Sequence, residues 1–343
     1  MYKYSFFNDY SEGCHPLILE KLQKSNLIQE SGYGKDSFSL RAETLIKQEI
    51  AREDLDVHLV SGGTQANLIC LSAILKPYES VISADNGHIL VHEAGAIEAT
   101  GHKINPAGAV DGKLTPELVN KVLLEHSDEH MVKPRAVFIS NSTEIGTFYT
   151  KAELIELSNF CREHDLILYL DGARLASGLM AQNSDLSLSD IASLVDMFYI
   201  GGTKNGALLG EAIVIKKPEL KENFRYYLKQ NGALLAKGRL LGIQFSTLFE
   251  NNLYYDLGKI ANQRAAELVK GLTDLGFSFL TNSTTNQIFP ILQNSLLEKL
   301  QENYGFYSWQ KIDKNNTAVR LVTSWATPDT AIQEFLADVK KLI

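Results

Sequence analysis

LILYLDGAR, residues 166–174, decides the fold. Five apolar side chains in unbroken succession, Leu166 to Leu170, leave no face for water, so the strand they form needs cover on both sides. A carboxylate, Asp171, closes the run and Gly172 follows it. Strands of this kind belong to a mostly parallel sheet with helices on both faces, where ligands bind beyond the carboxyl ends of the strands.

Outward from this stretch the same alternation recurs. Asp56–Val60, Ser80–Ser83, Arg135–Ser140, Asp196–Ile200 and Ala212–Ile215 read as further strands. Gln65–Leu75, Ile89–Thr100, Thr115–Glu125 and Lys151–His164 read as helices between them. In the last, Leu154, Leu157, Phe160 and Cys161 line one helical face. After about Glu250 the pattern becomes a long helix (Leu257–Leu275), sparser strands (Asn286–Ile291 and Ala318–Thr323) and a closing helix (Pro328–Leu342). The chain is therefore expected to divide into an N-terminal arm with a large α/β domain, 1–250, and a small C-terminal α+β domain, 251–343, without a flexible linker.

Composition narrows the classes of function. The 343 residues are 45% hydrophobic and 22% charged, ordinary for a globular chain and unlike a disordered one. A chain this long buries about three quarters of its surface on folding. The net charge of −8, from 33 bases and 41 acids, is spread throughout, which argues against a nucleic-acid partner. Cys14, Cys70 and Cys161 have no CxxC spacing and suggest a reducing compartment. MYKYSFFNDY lacks the apolar core of a signal peptide, and the uncharged run Leu59–Leu75 is too short and polar to span a bilayer. A cytoplasmic protein without membrane contact is expected.

Three polar motifs follow strands. SGGTQAN (61–67) opens a helix; its two glycines allow close backbone approach, and Thr64 with the free N–H groups of the first turn makes an anion site. The same residues also suit a plain strand-to-helix turn with Thr64 as N-cap. Asp171 must be paired or hydrated. It could hold Mg²⁺, cap the next helix, pair with a cationic ligand nitrogen, or form a structural pair with Arg174. Lys204, within GGTKNG (201–206), becomes an amine nucleophile if its pocket is partly desolvated. The conjunction of anion cradle, carboxylate and amine fits pyridoxal 5′-phosphate, whose phosphate, ring nitrogen and aldehyde require those groups. His88 and His92 are spaced i, i+4, as are His126 and His130. No third ligand accompanies either pair and HExxH is absent, so no metal is expected. His88 suits a ring stacked on the cofactor.

With these residues in place, the chain resembles the low-specificity L-threonine aldolases, of the β-eliminating lyase group within the aspartate-aminotransferase-like (type I) enzymes. The resemblance runs through NDYSEGCHP (8–16), GYGKD (32–36), SGGTQAN, NGHILVHEAGA (86–96), STEIGT (142–147), DGARL (171–175), GGTKNG and VRLVTSW (319–325). It implies a Schiff base at Lys204, Asp171 on the pyridinium nitrogen, and Arg174 near the phenolic oxygen or the substrate carboxylate. It also implies phosphate contacts from Gly63 and Thr64 with help from Thr203, and His88 stacked on the ring. Arg320 would clamp the substrate carboxylate, assisted by Asn8. Glu144 stands where one branch of the family carries a second histidine, so His88 and Glu144 are both candidates for the catalytic base.

The resemblance further implies retro-aldol cleavage of L-threonine or L-allo-threonine to glycine and an aldehyde, in a homodimer or homotetramer with the site at the subunit interface. Tyr33 and the basic segment 229–239 are candidates for reaching a neighbouring subunit. Two rivals remain at this stage. One is another reaction of the same cofactor, β-elimination of the tryptophanase type or transamination. The other is a non-catalytic nucleotide- or phosphate-binding α/β module.

Overall fold

A computed structural model describes residues 2–343. Near the N-terminus, Tyr4–Ser5 forms a short strand, β1. The central sheet follows as β2 (Asp56–Val60), β3 (Glu79–Ala84), β4 (Lys103–Ala107), β5 (Lys133–Ser140), β6 (Ile167–Asp171), β7 (Met197–Gly201) and β8 (Glu211–Ile215). Its seven strands lie in the order β2-β8-β7-β6-β5-β3-β4, all parallel except β8, which runs antiparallel to both neighbours.

Alternation along the strands feeds two cores. Leu168, Leu170, Phe198 and Ile200 enter one, while Ile167, Tyr169, Met197 and Tyr199 enter the other. Every residue of β3, β6, β7 and β8 is buried. The expected mostly parallel, doubly covered sheet is what forms.

Three expectations need correction. The helix read over Ile89–Thr100 is a single turn, His88–Val91, and a later 3₁₀ turn, Glu98–Thr100. Ala94 and Gly95 adopt φ of 52° and 74°, left-handed values that a helix cannot continue through. The strand Lys103–Ala107 went unread because it carries Pro106, which a sheet tolerates at its edge, where this strand lies. The strand read over Asn286–Ile291 is interrupted at Pro290, giving β9 (Gln287–Ile288) and β10 (Ile291–Gln293).

The remaining strands are β11 (Tyr304–Gly305), β12 (Tyr307–Lys311) and β13 (Asn316–Val322). β13 pairs antiparallel with β9, β10 and β12, and β1 pairs parallel with β11. A third core lies here, containing Leu292, Tyr304, Val319, Leu321 and Phe335, and Phe6 from the N-terminal segment belongs to it. The helix Leu253–Asp274 passes from one core to another, with Tyr254 and Leu257 in the first and Ala265, Leu268 and Leu272 in the third. The change in pattern near residue 250 thus coincides with the start of a helix shared by both cores.

Candidate active site

The carboxyl ends of β6 and β7 and the turn after β2 surround a cavity of about 290 Å³. Gly63, Thr64, His88, Glu144, Asp171, Arg174, Thr203 and Lys204 line it together. A second cavity of about 590 Å³ adjoins it, sharing Tyr10, His88, Glu144, Arg174 and Lys204 and adding Arg320. Residues spread over more than three hundred positions thus meet in one cleft.

The helix Gly63–Ile74 begins at the cavity, and no side chain caps it among the described residues. Gly62 is the N-cap, not Thr64, which sits one residue inside the helix and is exposed. Gln65 reaches back instead, accepting from Ser61 N and Ser61 Oγ. The first free helical bond is Ala66 N to Gly62 O, so the N–H groups of residues 63–65 have no helical acceptor and the dipole favours an anion. A Cβ on Gly63 would stand 3.0 Å from Tyr199 Oη, which explains why glycine is placed there.

Asp171 ends β6 and is 4% exposed. Its Oδ1 accepts from Tyr199 Oη at 2.5 Å and from Ala173 N at 2.9 Å, and its Oδ2 accepts from Asn67 Nδ2 at 3.0 Å. Arg174 does not pair with it. The guanidinium instead forks onto Asp9, Nε at 2.7 Å and Nη2 at 3.0 Å. Asn286 Nδ2 also donates to Asp9, at 2.8 Å. Burial alone would raise the Asp9 pKa, but Arg174 and Lys204 outweigh it and hold the carboxyl below its ordinary range.

Lys204 follows β7 in a glycine-bounded turn, its ammonium 6.0 Å from the Tyr10 ring centroid. Burial, then the charge of Arg174, lowers its pKa, against the pull of Asp9, Asp171 and Glu211. Thr203 Oγ1 donates to Glu211 Oε1 at 2.8 Å and accepts from Gly210 N at 2.9 Å. Its hydroxyl is therefore already engaged within the fold.

His88 Nδ1 lies 2.8 Å from Glu93 Oε1. That same oxygen accepts from Asn67 Nδ2 at 2.7 Å, and Asn67 Oδ1 accepts from Tyr169 Oη at 2.9 Å. Through Asn67 the histidine's partner and Asp171 therefore share one donor. Glu144 Oε1 accepts from Ser140 Oγ at 2.7 Å and from the backbone N–H of His88 at 3.1 Å. Burial lifts the Glu144 pKa, while Ser140 and His88 oppose that rise.

On β13, Arg320 stacks its guanidinium against Tyr307 and Trp309, each ring centroid 5.1 Å away. Its one hydrogen bond runs from Nη2 to Phe7 O, at 3.4 Å, and no carboxylate pairs with it among the described residues. Burial and Arg174 lower its pKa, so an anion in the cleft would relieve a costly isolated charge. Asn8 lies outside both linings, its Oδ1 accepting from Tyr10 N and Ser11 Oγ in a turn. Tyr33 and the basic segment meet on one surface, Lys229 Nζ standing 4.8 Å from the Tyr33 ring centroid. No group of three or more metal-ligating side chains gathers among the described residues.

Asp9, Glu93, Asn67 and Glu211 went unread in the sequence. Asp9 and Glu93 sit within motifs quoted above, NDYSEGCHP and NGHILVHEAGA, and an acid five residues beyond His88 was the available signal for the second.

A seven-stranded, mostly parallel sheet of this order defines the fold shared with aspartate aminotransferases. A solved Thermus thermophilus aspartate aminotransferase superposes with a TM-score of 0.73 over 100% of this chain and 92% of that one, at 15% identity. The beta-eliminating lyase family model matches residues 19–295, and the chain belongs to that family. Among its relatives is the low-specificity L-threonine aldolase of Pseudomonas sp. (strain NCIMB 10558), 31% identical over 98% of this chain and 97% of the relative. The solved threonine aldolase of Leishmania major is 49% identical, with a TM-score of 0.97 over 99% of each chain. No helix among the described residues is long and apolar enough to cross a membrane.

Proposed function

We propose that the protein cleaves L-threonine or L-allo-threonine between Cα and Cβ, giving glycine and an aldehyde, with pyridoxal 5′-phosphate as cofactor. The observation that carries this reading is that Lys204, Asp171 and the open helix end at Gly63–Thr64 face one cavity, in a chain akin to threonine aldolases over nearly its full length.

The residues present fit the cofactor. The N–H groups at 63–65 and the Thr64 hydroxyl offer unmet donors to a phosphate. A carboxylate has about four acceptor positions, and the three bonds on Asp171 leave one for a ring N–H. That carboxylate would hold a proton on the ring nitrogen when the cofactor is bound. The depressed proton affinity of Lys204 favours the neutral amine that condenses with an aldehyde. When bound, the cofactor draws off the electron pair released as Cα–Cβ breaks.

The chain's own side chains supply the rest. Arg320 takes the substrate carboxylate and sets the Cα–Cβ bond for cleavage. Arg174 spends two donors on Asp9 and turns its others to the cleft. Because Glu93 occupies His88 Nδ1, Nε2 is the nitrogen left to receive the β-hydroxyl proton. Glu144 is the second candidate base, since burial raises its affinity for a proton.

The test is product identification with a panel of β-hydroxy-α-amino acids. Glycine plus acetaldehyde from threonine is expected, and Lys204→Ala abolishes it. Pyruvate and ammonia would instead mean elimination, and a colourless protein that takes up no pyridoxal phosphate would favour the non-catalytic module. For the base, His88→Asn should lower turnover by about 10²-fold or more. Near-wild-type turnover in His88→Asn, with none in Glu144→Gln, would transfer the role to Glu144.

We also infer a homo-oligomer. Leu17, Leu19, Leu27, Ile28, Leu40 and Tyr226 are exposed, Leu27 at 92%, apolar side chains that contact with a second copy would cover. The three cysteines are free and buried, which suits a reducing compartment such as the cytoplasm.

A further inference from the structure

Glu211 is a buried acid that the chemistry above does not use. It opens β8 opposite Gly201 of β7 and is 4% exposed. Its Oε2 accepts from Gly202 N at 3.0 Å and its Oε1 from Thr203 Oγ1 at 2.8 Å, the two residues that precede Lys204. Gly202 N and Thr203 N also donate to Gly210 O, at 3.0 and 3.1 Å, so the turn is closed on both sides. Glu211 lines the same cavity as Lys204 and Asp171. It forms no ion pair among the described residues, and the nearby cation that acts on it is Lys204.

We propose that Glu211 is a positioning residue that holds the Gly202–Thr203 turn and sets the protonation of the Lys204 amine. The proposal rests on the reading of Lys204 as the reactive amine. A glutamine would satisfy both hydrogen bonds, because Thr203 Oγ1 has a lone pair to spare for an amide N–H. What glutamate adds is an ionisable oxygen beside the lysine.

The groups facing Glu211 are Lys204 from the turn, Asp171 from β6, Tyr199 from β7 and Tyr254 from the helix Leu253–Asp274. Burial raises the Glu211 pKa to about 8 and Asp171 pushes the same way, while Thr203, Lys204 and Gly202 oppose. Glu211 therefore keeps its proton to about 8 and becomes an anion beside Lys204 only above that. Once ionised it favours the ammonium form of Lys204.

The test follows Lys204 itself. The full-length protein is stripped of cofactor with hydroxylamine and pulsed with acetic anhydride across pH, and modification at Lys204 is read by peptide mass spectrometry. Glu211→Gln should move the midpoint of Lys204 labelling down by about one pH unit, about tenfold more neutral amine below the midpoint. Thr203→Val, which removes the hydroxyl that favours the ionised acid, should move it the same way and serves if Glu211→Gln fails to fold. Labelling profiles that superpose on wild type in the folded variant would overturn the proposal. Wild type that forms no borohydride-reducible adduct with pyridoxal phosphate would overturn the cofactor reading instead, while the labelling profile still decides the role of Glu211.

Discussion

Asp171 and His88 are joined through Asn67 and Glu93, and that link sets the first prediction. Asn67 donates to both Asp171 and Glu93, and Glu93 in turn holds His88 Nδ1. Glu93→Gln leaves a group of the same size but gives Asn67 and His88 an amide that can turn a donor toward them. The imidazole then loses its fixed tautomer and orientation, and kcat should fall by about 10²-fold. Cofactor absorbance should be unchanged, and a steady-state assay with a spectrum checks both. Asp171, which ends β6, and Lys204, in the turn after β7, were legible because a polar side chain after an apolar run is unusual. Asp9, Glu93 and Glu211 were not, because an acid in a mixed segment looks solvated until tertiary contacts bury it. Nothing in LLGEAIVI places Glu211 against Gly202 except the antiparallel register of β8 with β7.

At the scale of elements, β6 and β7 run side by side to the site, and Gly172, just past the end of β6, is pressed against β7. A Cβ on Gly172 would lie 1.9 Å from the Tyr199 carbonyl oxygen. Gly172→Ala therefore has to push the two strands apart, at a cost of about 3 kcal/mol, read as a lower denaturant midpoint. It should also weaken cofactor retention, because Asp171 and Tyr199 hold each other across the same gap. Sequence periodicity found the helices Thr115–Glu125 and Lys151–His164 to within a residue or two, since each buries one regular face and carries a threonine N-cap. It failed at Ile89–Thr100, where Glu93 turns inward to His88 and the backbone leaves the helix to allow it.

At the scale of the whole molecule, stability should depend on pH through Glu211. An ordinary glutamate sheds its proton near 4.5, whereas folded Glu211 keeps its own to about 8. Between these values the unfolded chain binds fewer protons than the folded one, so stability falls as pH rises. Thermal midpoints of wild type and Glu211→Gln should be close near pH 5, with the variant ahead near pH 8. A second prediction concerns assembly. Light scattering should give at least twice the 38.1 kDa chain mass, and Leu19→Glu with Leu27→Glu should lower it toward one chain. Finally, Asp9 is knotted to Arg174, just past the carboxyl end of β6, and to Asn286, beside β9, while β1 and Phe6, a few residues before it, are packed into the C-terminal core. Tyr4 and Ile343 are therefore unequal handles. An affinity tag fused after Ile343, which is 66% exposed, hangs free. One pulling at Tyr4–Ser5 tugs on a thread tied directly to the arginine of the cleft.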